Sequence, residues 1–267
     1  MSASPEDREL HSIARRLAKE GGDIAMRWFG TIDGAAESKG LTEIVTEADV
    51  AVEAHIVESL RRLTPEIGVL GEESGRSGAL SNEKLWVIDP IDGTTNFAHG
   101  VPYFGVCIGL WDGEARISAL FNPATDELWS TDGQHAWLND RQLPALRGKP
   151  MNACLMGSGF PYDRQITEDD NTREWRAVMK RCRGVRRMGA AAVDLAYVAA
   201  GRLDGFWEPR LKPWDVVAGA ALVRAVGGIV TDFHGRPWNI DGPDLSIVAG
   251  APEIHAQTLQ ILQEVRL

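Results

Sequence analysis

The stretch WVIDPIDGTTNF, residues 86–97, decides how the chain is read. Trp86, Val87 and Ile88 form an apolar strand. It ends in two carboxylates three residues apart, Asp89 and Asp92, followed by Gly93, Thr94 and Thr95. Ligands in α/β folds sit at strand ends of this kind. Asp-Pro and Asp-Gly are also turn formers, whose carboxylates often bond only their own backbone. For this pair taken alone, the turn reading is the better one.

The surrounding pattern supplies the frame. Ser4 and Pro5 read as the N-cap and first position of a helix. Leu10, Ile13, Leu17, Ile24 and Trp28 carry it at helical spacing to about Phe29. A second helix is expected over 47–63, with Val50, Ala54, Val57 and Leu60 on one face and Pro65 beyond its end. After residue 66 come short strand-like runs, GVL, LWVID, FGVCIGLW, ARISALF and DELWSTD, punctuated by turn residues; they read as an antiparallel meander. From about residue 150 strands and helices alternate: helices over 191–201, 213–228 and 252–265, with strands at LDGFWE, IVTDF and LSIVAG. That alternation favours a parallel or mixed sheet. Two subdomains are expected, 1–149 and 150–267.

With 267 residues the chain is long enough to bury a large core. A net charge of −10 argues against a nucleic-acid partner. Cys107, Cys154 and Cys182 are odd in number and scattered, which reads as reduced thiols in a cytoplasm. The polar, acidic start MSASPEDREL does not read as a signal peptide. No apolar run approaches membrane-spanning length. A cytoplasmic protein without membrane contact is expected.

Two further acidic sites resemble the first. GEES, 71–74, places Glu72 and Glu73 after a short apolar run, and KPWD, 212–215, places Asp215 in the first turn of a helix. Each alone has a plain reading; a first-turn aspartate, for one, complements the helix dipole by ~0.3–1 kcal/mol. If the three converge, their oxygens suit Mg2+. Two such ions ~3.5–4 Å apart hold the attacking and leaving oxygens of an in-line phosphoryl transfer. Cations would also let an acidic protein hold a phosphate. Gly93, Thr94 and Thr95 offer backbone N–H groups as an anion cradle.

GEES, WVIDPIDGTTNF and WDVVAGAALVRAVGGIVTD, in this order and spacing, resemble the inositol monophosphatase family of Mg2+-dependent, lithium-sensitive phosphatases, from about residue 10 to 265. The resemblance implies an α+β half joined to an α/β half in a layered αβαβα sandwich of the inositol monophosphatase / fructose bisphosphatase type. It also implies a homodimer and a site between the halves. Glu72 would bind a first metal, Asp89 would bridge two, and Ile91 would offer its carbonyl. Asp92 and Asp215 would hold the second ion, and a third, weaker one near Glu72 is allowed. Gly93 and Thr94 would contact phosphate, and Thr94 and Asp49 would orient and deprotonate the attacking water. Asp49 comes from the matching stretch LTEIVTEAD, 41–49. Glu208, Ala191 and Ser158, with Asp215, would meet the rest of the substrate. Two departures bear on that end: Pro209-Arg210 where relatives often have glycine two residues after the glutamate, and Ala190 where they often have Ser or Thr.

The implied reaction is hydrolysis of inositol monophosphate by direct attack of water. Histidinol phosphate, fructose 1,6-bisphosphate and a 3′-phosphonucleotide are alternative substrates, and a non-catalytic regulatory homologue is a second alternative. DPIDGTT also resembles an aspartyl-phosphate nucleophile motif, but its aspartates are three residues apart instead of two. Trp86, Trp111, Trp129 and Trp207 read as core. The basic run 180–187 reads as a solvated or dimer-rim stretch, and His99 as a loop residue.

Overall fold

The computed structural model describes residues 3–30, 37–38, 44–45, 47–78, 84–243 and 245–266, with backbone alone at 37–38 and 44–45. Residues 41–43 and 46 of the LTEIVTEAD stretch lie outside them.

The first helix, α1 (Pro5–Ala25), starts as its sequence dictates. Ser4 Oγ accepts the Asp7 N–H at 3.0 Å, and Asp7 Oδ2 accepts the Ser4 N–H in return. It ends four residues before the expected Phe29. The Arg27 and Trp28 N–H groups bond carbonyls three residues back, which tightens the chain into a turn. Phe29 then packs against Phe97 and Phe104. A short antiparallel pair, β1 (Glu37–Ser38) and β2 (Ile44–Val45), precedes α2 (Glu47–Leu63).

The bounds of α2 match expectation, and its buried face does so in part. Val57 and Leu60 are buried as expected, but Val50 and Ala54 are exposed, and Val52 and Ile56 are buried in their place. Asp49 and Glu53, one turn apart, are buried beside them. Two carboxylates on the inner face break the apolar period there.

The first sheet gathers β3 (Gly68–Gly71), β4 (Gly75–Ser77), β5 (Lys84–Asp92), β6 (Gly105–Asp112), β7 (Ala115–Asn122), β8 (Glu127–Thr131), β9 (Ala136–Leu138) and β10 (Arg141–Gln142). A short helix, α3 (Thr94–Ala98), follows β5. The spatial order is β10-β9-β8-β7-β6-β5-β3-β4, antiparallel throughout except β3 beside β5. The second sheet runs β12-β11-β13-β15-β14, from β11 (Leu155–Ser158), β12 (Gly184–Arg186), β13 (Gly205–Glu208), β14 (Ile229–Thr231) and β15 (Ile247–Gly250). It is mixed: β11 lies parallel to β12 and β13, and the other pairs are antiparallel.

Helices α1 and α2 cover one face of the first sheet. α5 (Ala191–Ala199) and α6 (Pro213–Ala225) lie between the two sheets, and α4 (Thr172–Met179) and α7 (Pro252–Arg266) cover the far face of the second. The result is an αβαβα sandwich. Strand β5 is buried on both faces, Trp86 and Ile88 toward α1 and α2, Leu85 and Val87 toward α5 and α6. That is why it reads as a continuous apolar run instead of an alternating one. Trp86, Trp111, Trp129 and Trp207 are all core residues. The three cysteines form no disulfide. Among the described residues, no helix is long and apolar enough to cross a membrane.

Two glycines bring helix and sheet together. A Cβ on Gly109 of β6 would stand 2.8 Å from Val217 Cγ1 and 2.9 Å from the Ala218 nitrogen, so α6 rests its backbone on the strand. Ser118 Oγ donates to the Ala218 carbonyl at 2.8 Å in the same contact. On the other face, a Cβ on Gly22 of α1 would meet the Phe121 ring at 2.5 Å.

Candidate active site

The pairing of β5 with β6 shifts register between Asp89 and Asp92. A bulge adds a residue and re-aims the side chains on either side of it, so two carboxylates three residues apart both reach the end of the strand. The Ile91 N–H donates to Asp89 Oδ1 at 3.0 Å. The turn role expected of such an aspartate is therefore real, but it uses one oxygen. Asp92 Oδ2 accepts the Val193 N–H at 2.9 Å and draws a second bond from Ala191, so it caps α5 from another part of the chain. Gly93 follows at φ 90°, in the left-handed region. A Cβ there would lie 2.9 Å from Ala190 Cβ, so glycine is required on both counts. Thr94 Oγ1 donates toward the Ile91 carbonyl at 3.0 Å and lies 3.4 Å from Asp49 Oδ1.

Other elements bring further carboxylates. Glu72 stands on the β3–β4 turn, Asp49 in the first turn of α2, and Asp215 in the first turn of α6, where its Oδ2 accepts the Lys212 N–H at 2.7 Å. Their charges are felt at one point. Burial first, then Glu72, Asp92, Asp215 and Asp49, push the Asp89 carboxyl well above the ordinary carboxylate range. Burial and Asp215 push Asp92 up as well, against the amide bonds that favour its charge. Carboxylates crowded out of water in this way call for a cation. Acidic oxygens and a backbone carbonyl suit Mg2+. Among the described residues no three acidic, histidine or cysteine side chains form a ready-made metal shell, so the fit rests on donor chemistry and charge.

Beside these residues opens a cleft whose lining includes Asp92, Asp215, Ser158, Ala191 and Glu208. Of the residues expected at the site, these five line the cleft; Asp89, Ile91, Gly93 and Thr94 sit at or just after the end of β5, and Asp49 and Glu72 belong to α2 and the β3–β4 turn. Glu208 is buried, and burial followed by Asp215 and Asp194 raises its carboxyl well above the ordinary range. Ser158 Oγ takes a 2.9 Å bond from the Asn171 amide, which also holds the Gly159 carbonyl; Trp207 Nε1 fixes Asn171 in turn.

Several functional neighbours gave no sequence signal. Asp194 lines the cleft with its carboxyl raised to about 7, burial outweighing the 2.6 Å bond donated by the Tyr103 hydroxyl and the charge of Arg187. Arg187 belongs to the basic run expected to be solvated. The run is largely exposed, but this member also lines the cleft. Arg210 sits in the left-handed region at φ 60° and pairs with Asp163 and, at 3.2 Å, with Thr167. This is the position where glycine was expected by resemblance, and the backbone angle is the physical reason. His99 is exposed.

The model of the inositol monophosphatase family matches residues 6–267. The inositol-1-monophosphatase of Rhizobium meliloti is 39% identical over 257 residues, covering 95% of this chain and 96% of that one. The protein named Nus factor SuhB of Pseudomonas aeruginosa is 42% identical over 231 residues, covering 84% and 85%. The solved structure of an inositol monophosphatase from Anabaena (Nostoc) superposes with a TM-score of 0.86 at 37% identity, over 97% of this chain and 96% of that one.

Proposed function

Because the chain belongs to the inositol monophosphatase family and is a phosphoric monoester hydrolase, we propose that it is a Mg2+-dependent enzyme cleaving inositol monophosphate to inositol and phosphate. The observation that carries this is the burial of Asp89 within the field of Glu72, Asp92, Asp215 and Asp49, beside a cleft that Asp92, Asp215 and Glu208 line. Glu72, Asp89, the Ile91 carbonyl, Asp92 and Asp215 would hold two Mg2+ ions, with a third, weaker one near Glu72. Bound there, the cations supply charge neutralisation and a lowered pKa for water.

The chain's own groups do the rest. The Thr94 hydroxyl has one proton and two acceptors, the Ile91 carbonyl and Asp49. A water between Thr94 and Asp49 is oriented by the first and gives its proton to the second. The backbone N–H groups of Gly93 and Thr94 hold the phosphoryl oxygens. Glu208, Ser158 and Ala191 receive the polyol. Attack is direct, without a phosphoenzyme. The same reading makes the protein a cytoplasmic homodimer. The Nus-factor name of one relative favours a second reading, a regulatory protein on the same fold; the full carboxylate set speaks for catalysis.

Phosphate release from myo-inositol 1-phosphate, histidinol phosphate, fructose 1,6-bisphosphate and adenosine 3′,5′-bisphosphate tests the substrate. The inositol ester should rank among the best and need Mg2+, and millimolar Li+ should inhibit in an uncompetitive or mixed manner. A clear preference for the nucleotide or for histidinol phosphate overturns the substrate. Absence of any Mg2+-dependent release overturns the cation site.

A further inference from the structure

We propose that Glu53 is a positioning residue: it holds the β3–β4 turn so that Glu72 faces Asp89. The inference rests on the reading of Glu72 as a cation ligand.

Glu53 is 2% exposed, on the inner face of α2, one turn after Asp49. A buried carboxylate is costly unless its oxygens are satisfied. Both are, and by consecutive amides: Oε2 accepts the Glu73 N–H at 2.9 Å and Oε1 the Ser74 N–H at 2.7 Å. These are the two amides that follow Glu72. Charge-assisted bonds of this length are about twice as strong as neutral ones, and two on adjacent amides fix the plane of the turn as well as its place.

The residue before Glu72 adds an independent constraint. A Cβ on Gly71 would stand 2.5 Å from the Glu53 carboxyl carbon and from Oε1. Gly71 does not have a positive φ. Its glycine serves clearance, not conformation, and lets the turn close onto the carboxylate. Glu72 is thus clamped on both sides by one side chain from another element. Through α2, the same helix that carries Asp49 to Thr94 carries Glu53 to Glu72, so one rigid element sets both ends of the acidic group.

Mn2+ titration of the whole protein, followed by loss of the free-ion EPR signal, tests this without turnover. Glu53→Gln keeps the volume but turns one acceptor into a donor facing an amide N–H. Its Mn2+ affinity should fall about tenfold, and kcat at saturating Mg2+ should return toward the wild-type value. Gly71→Ala should produce the same affinity loss by pushing the carboxylate away, and stands in if the first variant does not fold. Thr64→Val, which removes the bond from Trp86 Nε1 at the far end of α2, should lower the melting temperature and leave Mn2+ affinity unchanged. Equal Mn2+ affinity in wild type and either clamp variant overturns the inference alone. Wild-type protein that takes up no Mn2+ overturns the reading of the cleft and the inference with it.

Discussion

At Asp89 the two demands on one residue separate cleanly. One oxygen serves the turn and the other belongs to the acidic group, so an isosteric amide keeps the first role and loses the second. Asp89→Asn should fold, and phosphatase activity should drop by more than about a hundredfold. Without added metal it should melt about 2–4 °C higher, as expected for relief of roughly 1 kcal/mol of repulsion in a domain of this size. Thermal scans with and without Mg2+ check both. Asp194 gives a pH test. Its unfolded carboxyl loses its proton near 3.8 and the folded one near 7. Between those values the folded state holds the extra proton, so this group's contribution to stability falls as pH rises. Asp194→Asn keeps an acceptor for Tyr103 and cannot ionise. Its melting temperature relative to wild type should therefore rise between pH 5 and pH 8; a flat difference would contradict the raised pKa. The carboxylates that gather around Asp89 were legible through the family resemblance, since each alone closes a strand or opens a helix and has a plain reading there. Asp194 and Tyr103 were not, because an aspartate inside a helix and a tyrosine in a loop meet only once the halves are assembled.

At the scale of elements, caps, turns and strand runs were readable. Ser4-Pro5, Pro213 and the Asp-Gly turn act as their chemistry requires. The inner face of α2 was readable only at Val57 and Leu60, since burying Asp49 and Glu53 depends on partners far along the chain. The segment 159–167 is another such case. It is tied to the loop after β13 by Arg210, whose left-handed backbone costs ~1 kcal/mol or more and whose exposed ion pair with Asp163 returns ~0–1 kcal/mol. Arg210→Gly removes both, so the melting temperature should move by no more than about 2–4 °C. Limited proteolysis within 159–167 should become faster. Unchanged proteolysis would mean that Arg210 does not hold the segment.

At the scale of the molecule, the layer order was implied by resemblance and could not be had from periodicity, because β13–β15 pairing skips over a helix and a strand. The small-residue run of α6 now has its reason. The helix is enclosed by a sheet on either side and by α5, where a Cβ on Gly219 would meet Leu195 Cβ at 2.4 Å. We propose 1–149 and 150–267 as subdomains, each with its own sheet. They share the apolar layer that joins Leu120 and Trp129 to Val193, Val217 and Phe206. Expressed alone, 1–149 should bind ANS and lack a cooperative urea transition, while the whole chain unfolds in one step; a well-folded fragment would argue for independent domains. The seating of α6 on Gly109 has a practical consequence for anyone wishing to alter the enzyme. With no clearance between helix and strand, the wall bearing Asp215 cannot be moved to admit a bulkier ester. A combinatorial library aimed at larger alcohol groups should leave 105–122 and 213–225 untouched and place its diversity in 159–167 and at Arg210, where the cleft is walled by loops.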